Sequence, residues 1–129
     1  PEIRSVRFMN RSFEEVLRMT VKQALSFFMD EKGIRLPLER ILELGLGHLR
    51  LGQRLNTLSG GEAQRLKLAR VFSARRPGTL YVLDEPLRGL HPMEVDSVLK
   101  AIKALVSMGG TVVAVEHSLR FMASSDWVV

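Results

Sequence analysis

The sequence contains no cysteine, no internal repeat, no low-complexity stretch and no long apolar run. Without cysteine the chain cannot form a disulfide or a thiolate-ligated zinc site, which also fits a reducing compartment. A membrane-spanning helix needs about 20 consecutive apolar residues, and no stretch approaches that length. The first residues lack the pattern of a signal peptide. We therefore expect a cytoplasmic protein that binds no zinc through this chain and has no membrane partner.

The 129 residues are 46% hydrophobic, which is enough to build the core of one domain or of part of one. Lysine and arginine outnumber aspartate and glutamate by 19 to 14, for a net charge of +5. This charge permits a polyanionic partner but does not identify one. The chain starts at Pro1 without a methionine and stops at 127–129, where a strand is expected. We expect it to be a segment of a longer protein.

Residues 58–65, with the sequence LSGGEAQR, mark the start of a helix. Ser59 and Glu62 have the spacing of a capping box, in which each side chain accepts a hydrogen bond from the other residue's backbone. Gly60 and Gly61 each cost a helix about 0.5–1 kcal/mol relative to alanine. Glycine permits an anion to approach the bare N–H groups at the positive helix end. An ordinary capped helix with permissive glycines is the other interpretation of these residues.

The N-terminal part of the chain is expected to contain packing elements. Its pattern predicts a short strand within 1–9, followed by helices over 13–19, 20–29 and 37–44. Thr20 is the expected cap of the second helix, and Pro37 suits the first turn of the third. His48 follows in a loop without a partner near it in sequence, so we expect a surface or packing histidine.

The C-terminal half predicts a βαβ unit after a helix over 59–74. Two apolar runs, at 80–83 and 111–115, have the composition of parallel strands buried on both faces. A helix that Pro92 opens lies between them. A third strand is expected to begin at Trp127, which we place in the core.

Both strands of this unit end in charged or titratable pairs, Asp84-Glu85 and Glu116-His117. Ligands of open parallel sheets bind outside the carboxyl ends of the strands, so the two pairs are expected at one edge. Carboxylates at such an edge are compensated by a cation, for example Mg²⁺ with a phosphate chain. Taken separately, each pair is also explained as a simple surface strand end.

The string LSGGEAQR resembles the signature motif of ABC-type ATPases, and the strand before Asp84 resembles their Walker B strand. The resemblance implies that Asp84 organises Mg²⁺ through a water, that Glu85 is the general base and that His117 is the switch histidine at the γ-phosphate. The signature of this family contacts ATP that is held by the opposing ATPase domain. The residues implied for this contact are Leu58, Ser59, Gly60, Gly61, Glu62 and Gln64. Those implied for the D-loop, which passes between paired domains, are Gly89, Leu90 and His91.

Longer stretches of the sequence resemble one particular family of ABC-type ATPases. Residues 51–53, 58–69 and 79–86 are similar to the UvrA family, the damage-sensing ATPases of bacterial nucleotide excision repair. The stretches 15–21 and 123–127 resemble the second, C-terminal ATPase domain of that family. The resemblance implies an α/β fold, namely part of an ABC-ATPase (P-loop NTPase-like) domain with parallel strands, flanking helices and an N-terminal helical segment.

The implied domain division places a strand and a helical signature-subdomain segment in 1–57, and the signature helix with the Walker B and switch-histidine core in 58–129. The chain departs from the family in two ways. Leu87 and Arg88 stand where two small hydroxyl residues are usual, which suggests a divergent paralogue. No G-x-x-x-x-G-K-[ST] phosphate loop occurs anywhere, and the Q-loop and cysteine zinc module that lie upstream in the family are absent too. Because that loop supplies most phosphate contacts, the chain by itself is expected neither to bind nor to hydrolyse ATP usefully.

The resemblance also implies cofactors and partners. The cofactors are ATP and Mg²⁺. The partners are the second ATPase domain of the same protein, a UvrA-type dimer, a UvrB-type subunit of the excinuclease complex and damaged double-stranded DNA. The basic residues of the signature helix, Arg65, Lys67 and Arg70 among them, are either a solvated face or a phosphate contact. Two alternatives remain open: a UvrA-like ATPase of drug resistance or export, and a non-enzymatic adaptor built on a degenerate ATPase half.

Overall fold

The computed structural model describes residues 6–73 and 76–129, and begins with a small antiparallel ribbon. Strands β1 (Arg7–Phe8) and β2 (Arg11–Ser12) pair across a two-residue turn. Met9 and Asn10 in this turn both have positive φ, 46° and 63°, as tight hairpin turns require. Part of the strand predicted within 1–9 therefore exists, while 1–5 lie outside the described residues.

Two short helices follow, α1 (Phe13–Arg18) and α2 (Val21–Phe27). Each begins with a complete capping box, Ser12 with Glu15 and Thr20 with Gln23, so the predicted cap at Thr20 is confirmed. The capping residues satisfy backbone N–H groups that have no partner inside a helix.

Helix α3 (Lys32–Glu43) begins earlier than its sequence suggested. Pro37 was expected in the first turn but lies inside the helix, so that prediction is wrong. Proline lacks the N–H that would bond to the carbonyl of Gly33, four residues earlier. Gly33 is exposed, so water can satisfy its carbonyl and the helix continues through the proline.

The C-terminal half contains the expected βαβ unit. After a 3₁₀ turn (Leu55–Thr57) and helix α4 (Gly60–Ser73), strands β3 (Leu80–Asp84) and β4 (Thr111–Val115) pair in parallel, with Asp84 opposite Val115. Helix α5 (Pro92–Ser107) connects the two strands, and the short helix α6 (Leu119–Ala123) follows. The parallel pair with its flanking helices confirms the predicted α/β class.

Two expectations about burial are wrong. The strands were expected to be covered on both faces, but in β3 Tyr81 and Leu83 are buried while Leu80 and Val82 are 60% and 73% exposed. Since side chains alternate along a strand, the helices of the described chain cover one face only. Trp127 was placed in a core strand, yet it is 90% exposed and 127–129 form no strand. A strand requires a neighbouring strand to pair with, and no described segment provides one there.

The buried residues form two hydrophobic clusters. The larger one joins the sheet to α4 and α5, and Phe72, Val98 and Leu105 lie at its centre. The smaller one packs α2, α3 and the following loop around Ala24 and Leu46. Helices α3 and α4 lie between the clusters and contact each other, so the signature helix is fixed from both sides. No helix among residues 6–73 and 76–129 is long and apolar enough to cross a membrane.

We predict that Phe72→Ala lowers the free energy of unfolding by about 3–5 kcal/mol, because it removes a ring that is 1% exposed and leaves a cavity. Val71→Ala, one residue earlier on the same helix and 40% exposed, is the matched control and is expected to cost under about 1 kcal/mol. Urea unfolding of the two variants measures the difference. Equal costs would contradict this account of the core.

Candidate functional site

The start of helix α4 forms an open helix tip. The Ser59 N–H donates to Glu62 Oε2 at 2.8 Å, and the Glu62 N–H donates to Ser59 Oγ at 3.1 Å, so the predicted capping box is present. Both Ser59 and Gly60 are exposed, and a Cβ added to Gly60 would meet no atom within 4 Å. The space above Gly60 is therefore open to an incoming group.

The second glycine of the tip has a different role, because it packs against another part of the same chain. A Cβ built on Gly61 would lie 3.1 Å from the Gly89 carbonyl oxygen and 3.1 Å from Glu94 Oε2. Gly61 itself is buried. Glycine is required at Gly61 for a close approach between the signature tip, residues 59–62, and the predicted D-loop at Gly89, whereas at Gly60 no described atom requires it.

Arg65 holds these two segments together. It was grouped with a solvated or phosphate-binding basic face, but it is 4% exposed, so that placement is wrong. Its guanidinium donates to the carbonyls of Gly61 (3.3 Å) and Leu44 (3.1 Å) and to Glu94 Oε1 (2.5 Å). The other oxygen of Glu94 accepts the His91 N–H at 2.8 Å. Arg65 and Glu94 thus connect the signature helix to the start of α5.

The other signature residues and the basic residues of α4 differ in how far they are exposed to solvent. Leu58 is half-buried and packs against the smaller hydrophobic cluster, and Gln64 is also half-buried. Lys67 and Arg70 are exposed, as a solvated basic face requires. Nothing in the sequence distinguished Arg65 from these two, because its burial depends on Glu94, which is 29 residues away.

The carboxyl ends of β3 and β4 bring the second group of candidate residues together. The Glu85 N–H donates to the Val115 carbonyl at 2.9 Å and continues the pairing of the sheet by one residue. Glu85 has a φ of +43°, which is uncommon for a residue with a side chain and is often found at functional sites. Its Oε1 lies 4.0 Å from His117 Nε2. Glu85 and His117 therefore share one edge of the sheet.

Glu116 fixes the geometry of this edge, a role that was not assigned from the sequence. Its Oε1 accepts the Leu87 N–H at 2.7 Å, and its Oε2 accepts the N–H groups of His117 (2.9 Å) and Ser118 (3.1 Å). One carboxylate thus joins the turn after β3 to the segment after β4. Its position at a strand end was visible in the sequence and two of its partners are the next two residues, but its contact with the Leu87 N–H depends on how the strands pair.

The residues predicted for the D-loop lie between the two groups. Gly89 has a φ of +73°, which favours glycine, and Leu90 is half-buried next to Gly61. His91 caps helix α5, with its Nδ1 accepting the Met93 N–H at 3.4 Å. We call the residues at the ends of β3 and β4 the acidic edge, namely Asp84, Glu85, Glu116 and His117. The signature tip, the predicted D-loop and the acidic edge are thus joined in one continuous arrangement by contacts within the chain.

No group of three or more histidine, aspartate or glutamate side chains that could hold a metal ion occurs within residues 6–73 and 76–129. Asp84 is exposed at the end of β3, and its carboxylate makes no hydrogen bond or ion pair with a described residue. Proteins usually bind Mg²⁺ through one or two carboxylates, with waters and substrate phosphates as the other ligands. A single accessible carboxylate fits that kind of site.

His48 has no partner near it in sequence, and the fold brings one from 14 residues away. Its Nε2 lies 2.7 Å from Glu62 Oε1, so the carboxylate of the capping box is held from two sides. The hydrogen bond from His48, followed by that from the Ser59 backbone, lowers the pKa of Glu62 below its ordinary value of 4.5. The partners are 14 residues apart, and the loop after α3 brings them together.

We predict a pH-dependent contribution of Glu62 to stability. Because the pKa of Glu62 is lowered by folding, its stabilisation is present above about 4.5, its ordinary value, and is lost as the pH falls through the lowered value. The difference in unfolding free energy between wild type and Glu62→Gln should therefore be fully present above about pH 4.5 and shrink as the pH falls below it. Glu31→Gln is the control, since the exposed Glu31 side chain has no described partner. A gap that stays constant from neutral pH to about pH 3 would contradict this role.

The chain is similar along nearly its whole length to known proteins, although no protein-family model matches it. It is 44% identical to UvrABC system protein A of Agrobacterium fabrum, over 99% of this chain and 13% of that protein. The protein of the same name from Vibrio parahaemolyticus is also 44% identical, over 99% of this chain and 14% of its own length. The chain thus spans about one seventh of the length of these relatives.

Solved structures agree with the sequence matches. UvrA2 from Deinococcus radiodurans superimposes with a TM-score of 0.88 at 47% identity, over 98% of this chain and 16% of that one. A bacterial ABC transporter cassette, solved as a dimer, superimposes with a TM-score of 0.60 at 19% identity, over 86% of this chain and 51% of its own, which supports the fold alone. The chain therefore belongs to the UvrA family, matches one segment of its longer members and has the fold of part of an ABC ATPase.

Proposed function

We propose that this chain is the C-terminal part of the second ATPase domain of a UvrA-type DNA-repair ATPase. In this proposal it contributes to two composite ATP sites, the signature tip to one and the acidic edge to the other. The observation that supports it most directly is the packing of Gly61 against Gly89, which joins tip and edge in one body. The helical segment over 1–57 would support the signature, and 58–129 would carry the chemistry.

The signature tip is proposed to bind the γ-phosphate of ATP held by an opposing domain. The open space above Gly60 and the exposed hydroxyl of Ser59 support this role. A helix N-terminus favours an anion through its unpaired N–H groups and its dipole. Leu58 and Gln64, both half-buried, would support the tip, and Glu62 maintains its cap.

The acidic edge is proposed to hydrolyse ATP. Asp84 would hold Mg²⁺ through a water, and the metal would offset the charge of the phosphate chain. Glu85 would accept a proton from the attacking water, whose oxygen bonds to the γ-phosphorus while the bridging oxygen leaves with ADP. His117 would contact the γ-phosphate from the same edge. Its exposed ring, near Glu85, supports this assignment.

The partners follow from the same proposal. Gly89, Leu90 and His91 would pass between paired ATPase domains, and the protein would act as a dimer with a UvrB-type subunit on damaged double-stranded DNA in the cytoplasm. Exposed Lys67 and Arg70 provide positive charge that suits a phosphate backbone.

A UvrA-like paralogue of drug resistance or export is the second candidate. The observation that favours it is Arg88, which stands in the D-loop region where the repair family usually has a small hydroxyl residue. The adaptor hypothesis has no comparable support, since Glu85 and His117 are both present and adjacent.

We predict that Glu85→Gln in the full-length protein leaves ATP binding nearly unchanged but lowers turnover by at least about 100-fold, the usual worth of a general base. Glutamine keeps the size and one oxygen of glutamate but does not accept the proton. Single-turnover hydrolysis and nucleotide binding are measured on the same preparation. Turnover within a few-fold of wild type would remove Glu85 from this role.

We also predict that the 129-residue chain by itself does not bind ATP at micromolar concentrations. It has no phosphate-binding loop, and that loop supplies most contacts to the β- and γ-phosphates. Isothermal titration with ATP and Mg²⁺ is the measurement, and the full-length protein is the positive control. A micromolar dissociation constant for the isolated chain would contradict the composite-site proposal.

A further inference from the structure

Arg88 is bound to the proposed general base. Its Nη1 donates to Glu85 Oε2 at 2.9 Å, while the other carboxylate oxygen faces His117 at 4.0 Å. Arg88 is 80% exposed in its side chain, and Glu85 is its one side-chain partner among residues 6–73 and 76–129. One oxygen of the proposed base is therefore already occupied by a cation of the same chain.

The backbone around Arg88 keeps this contact within reach. The Arg88 N–H donates to the Glu85 carbonyl at 3.0 Å and closes a tight turn. Inside the turn Pro86 is fully buried, and the Leu87 N–H is bound to Glu116 at 2.7 Å. The turn therefore holds the start of the Arg88 side chain beside Glu85, and the guanidinium needs no rearrangement of the fold to reach the carboxylate.

A carboxylate that activates water needs a free oxygen to accept the hydrogen bond and then the proton. A guanidinium on that carboxylate competes for the same lone pairs and forms a charge-assisted bond. Hydrolysis then either breaks the ion pair or uses a lone pair that the guanidinium leaves free, on a carboxylate whose basicity the guanidinium lowers. The contact is exposed, so it is screened by salt and can be released at small cost.

We propose that Arg88 is a positioning residue that restrains Glu85 and slows ATP hydrolysis, so that the ATP-bound state lasts longer. This inference rests on the proposed function of Glu85 as the base. Arg88 acts through Glu85 and touches neither water nor nucleotide in this scheme. Removing the guanidinium should free the carboxylate and leave nucleotide binding unchanged.

The test is Arg88→Thr in the full-length protein. We expect kcat for ATP hydrolysis to rise about two- to fivefold with KM unchanged, which is the range set by an exposed ion pair. Arg88→Lys keeps the charge and should restore a rate near wild type. The gain from Arg88→Thr should shrink when salt is raised from about 0.05 M to about 0.5 M, because screening releases the pair in the wild type as well.

Arg120→Thr is the matched control. Arg120 also forms an exposed ion pair, with Asp96 Oδ1 at 2.7 Å, and it also contacts the Pro92 carbonyl, but it lies outside the proposed site. This variant should leave kcat and its salt dependence unchanged. A rise in kcat of similar size in both variants would mean that the effect is general and would overturn the assignment.

The remaining outcomes separate this inference from the function on which it rests. If Glu85→Gln abolishes turnover while Arg88→Thr leaves kcat unchanged or lowers it, the restraint is wrong and the base stands. A drop in kcat would instead make Arg88 an aid to catalysis. If Glu85→Gln keeps its turnover, Glu85 is not the base. A higher kcat in Arg88→Thr would then have to come from an effect of Arg88 on a group other than Glu85. In the Glu85→Gln background, Arg88→Thr should produce no gain.

Discussion

The ion pair between buried Arg65 and half-buried Glu94 is the interaction on which the arrangement of the candidate site depends. All three guanidinium nitrogens of Arg65 have an acceptor, so the charge is compensated although the side chain is 5% exposed. Leaving one member of such a pair unpaired costs about 3–5 kcal/mol, so the helix and the loop are held in one position. The pair fixes the signature tip against Gly89. Any shift of one segment must therefore move the other or break the pair.

The acidic edge is also held together by one charged side chain that binds several partners, and there that side chain is Glu116. Its carboxylate binds three backbone N–H groups, from Leu87, His117 and Ser118, and so positions the turn that carries Glu85. The candidate catalytic residues are exposed or half-buried, and of the residues that orient them Arg65 is buried while Glu94 and Glu116 are half-buried. Two charged side chains outside the motif assignments, Glu94 and Glu116, thus determine where the motif residues stand.

Most elements could be predicted from the sequence, and the errors have identifiable causes. The helix cap at Thr20, the capping box at Ser59 and the βαβ unit were predictable because they depend on local spacing and periodicity. The predicted burial of Trp127 was wrong because apolar composition shows that burial would be favourable but not that another element covers the residue. The predicted burial of both strand faces was wrong for the same reason. The predicted start of α3 at Pro37 was wrong because an exposed helix tolerates the loss of one backbone hydrogen bond at a proline.

The sequence by itself determined which chemical groups this protein carries and where helices α2, α4 and α5 and strands β3 and β4 begin, since caps, glycines and apolar runs act over a few residues. It also placed the carboxylates and the imidazole at strand ends. Only the tertiary structure decided which of them meet. The pairs of Arg65 with Glu94, His48 with Glu62 and Glu116 with the Leu87 N–H join residues 29, 14 and 29 positions apart. No short-range pattern encodes such contacts, because they arise from the packing of whole elements.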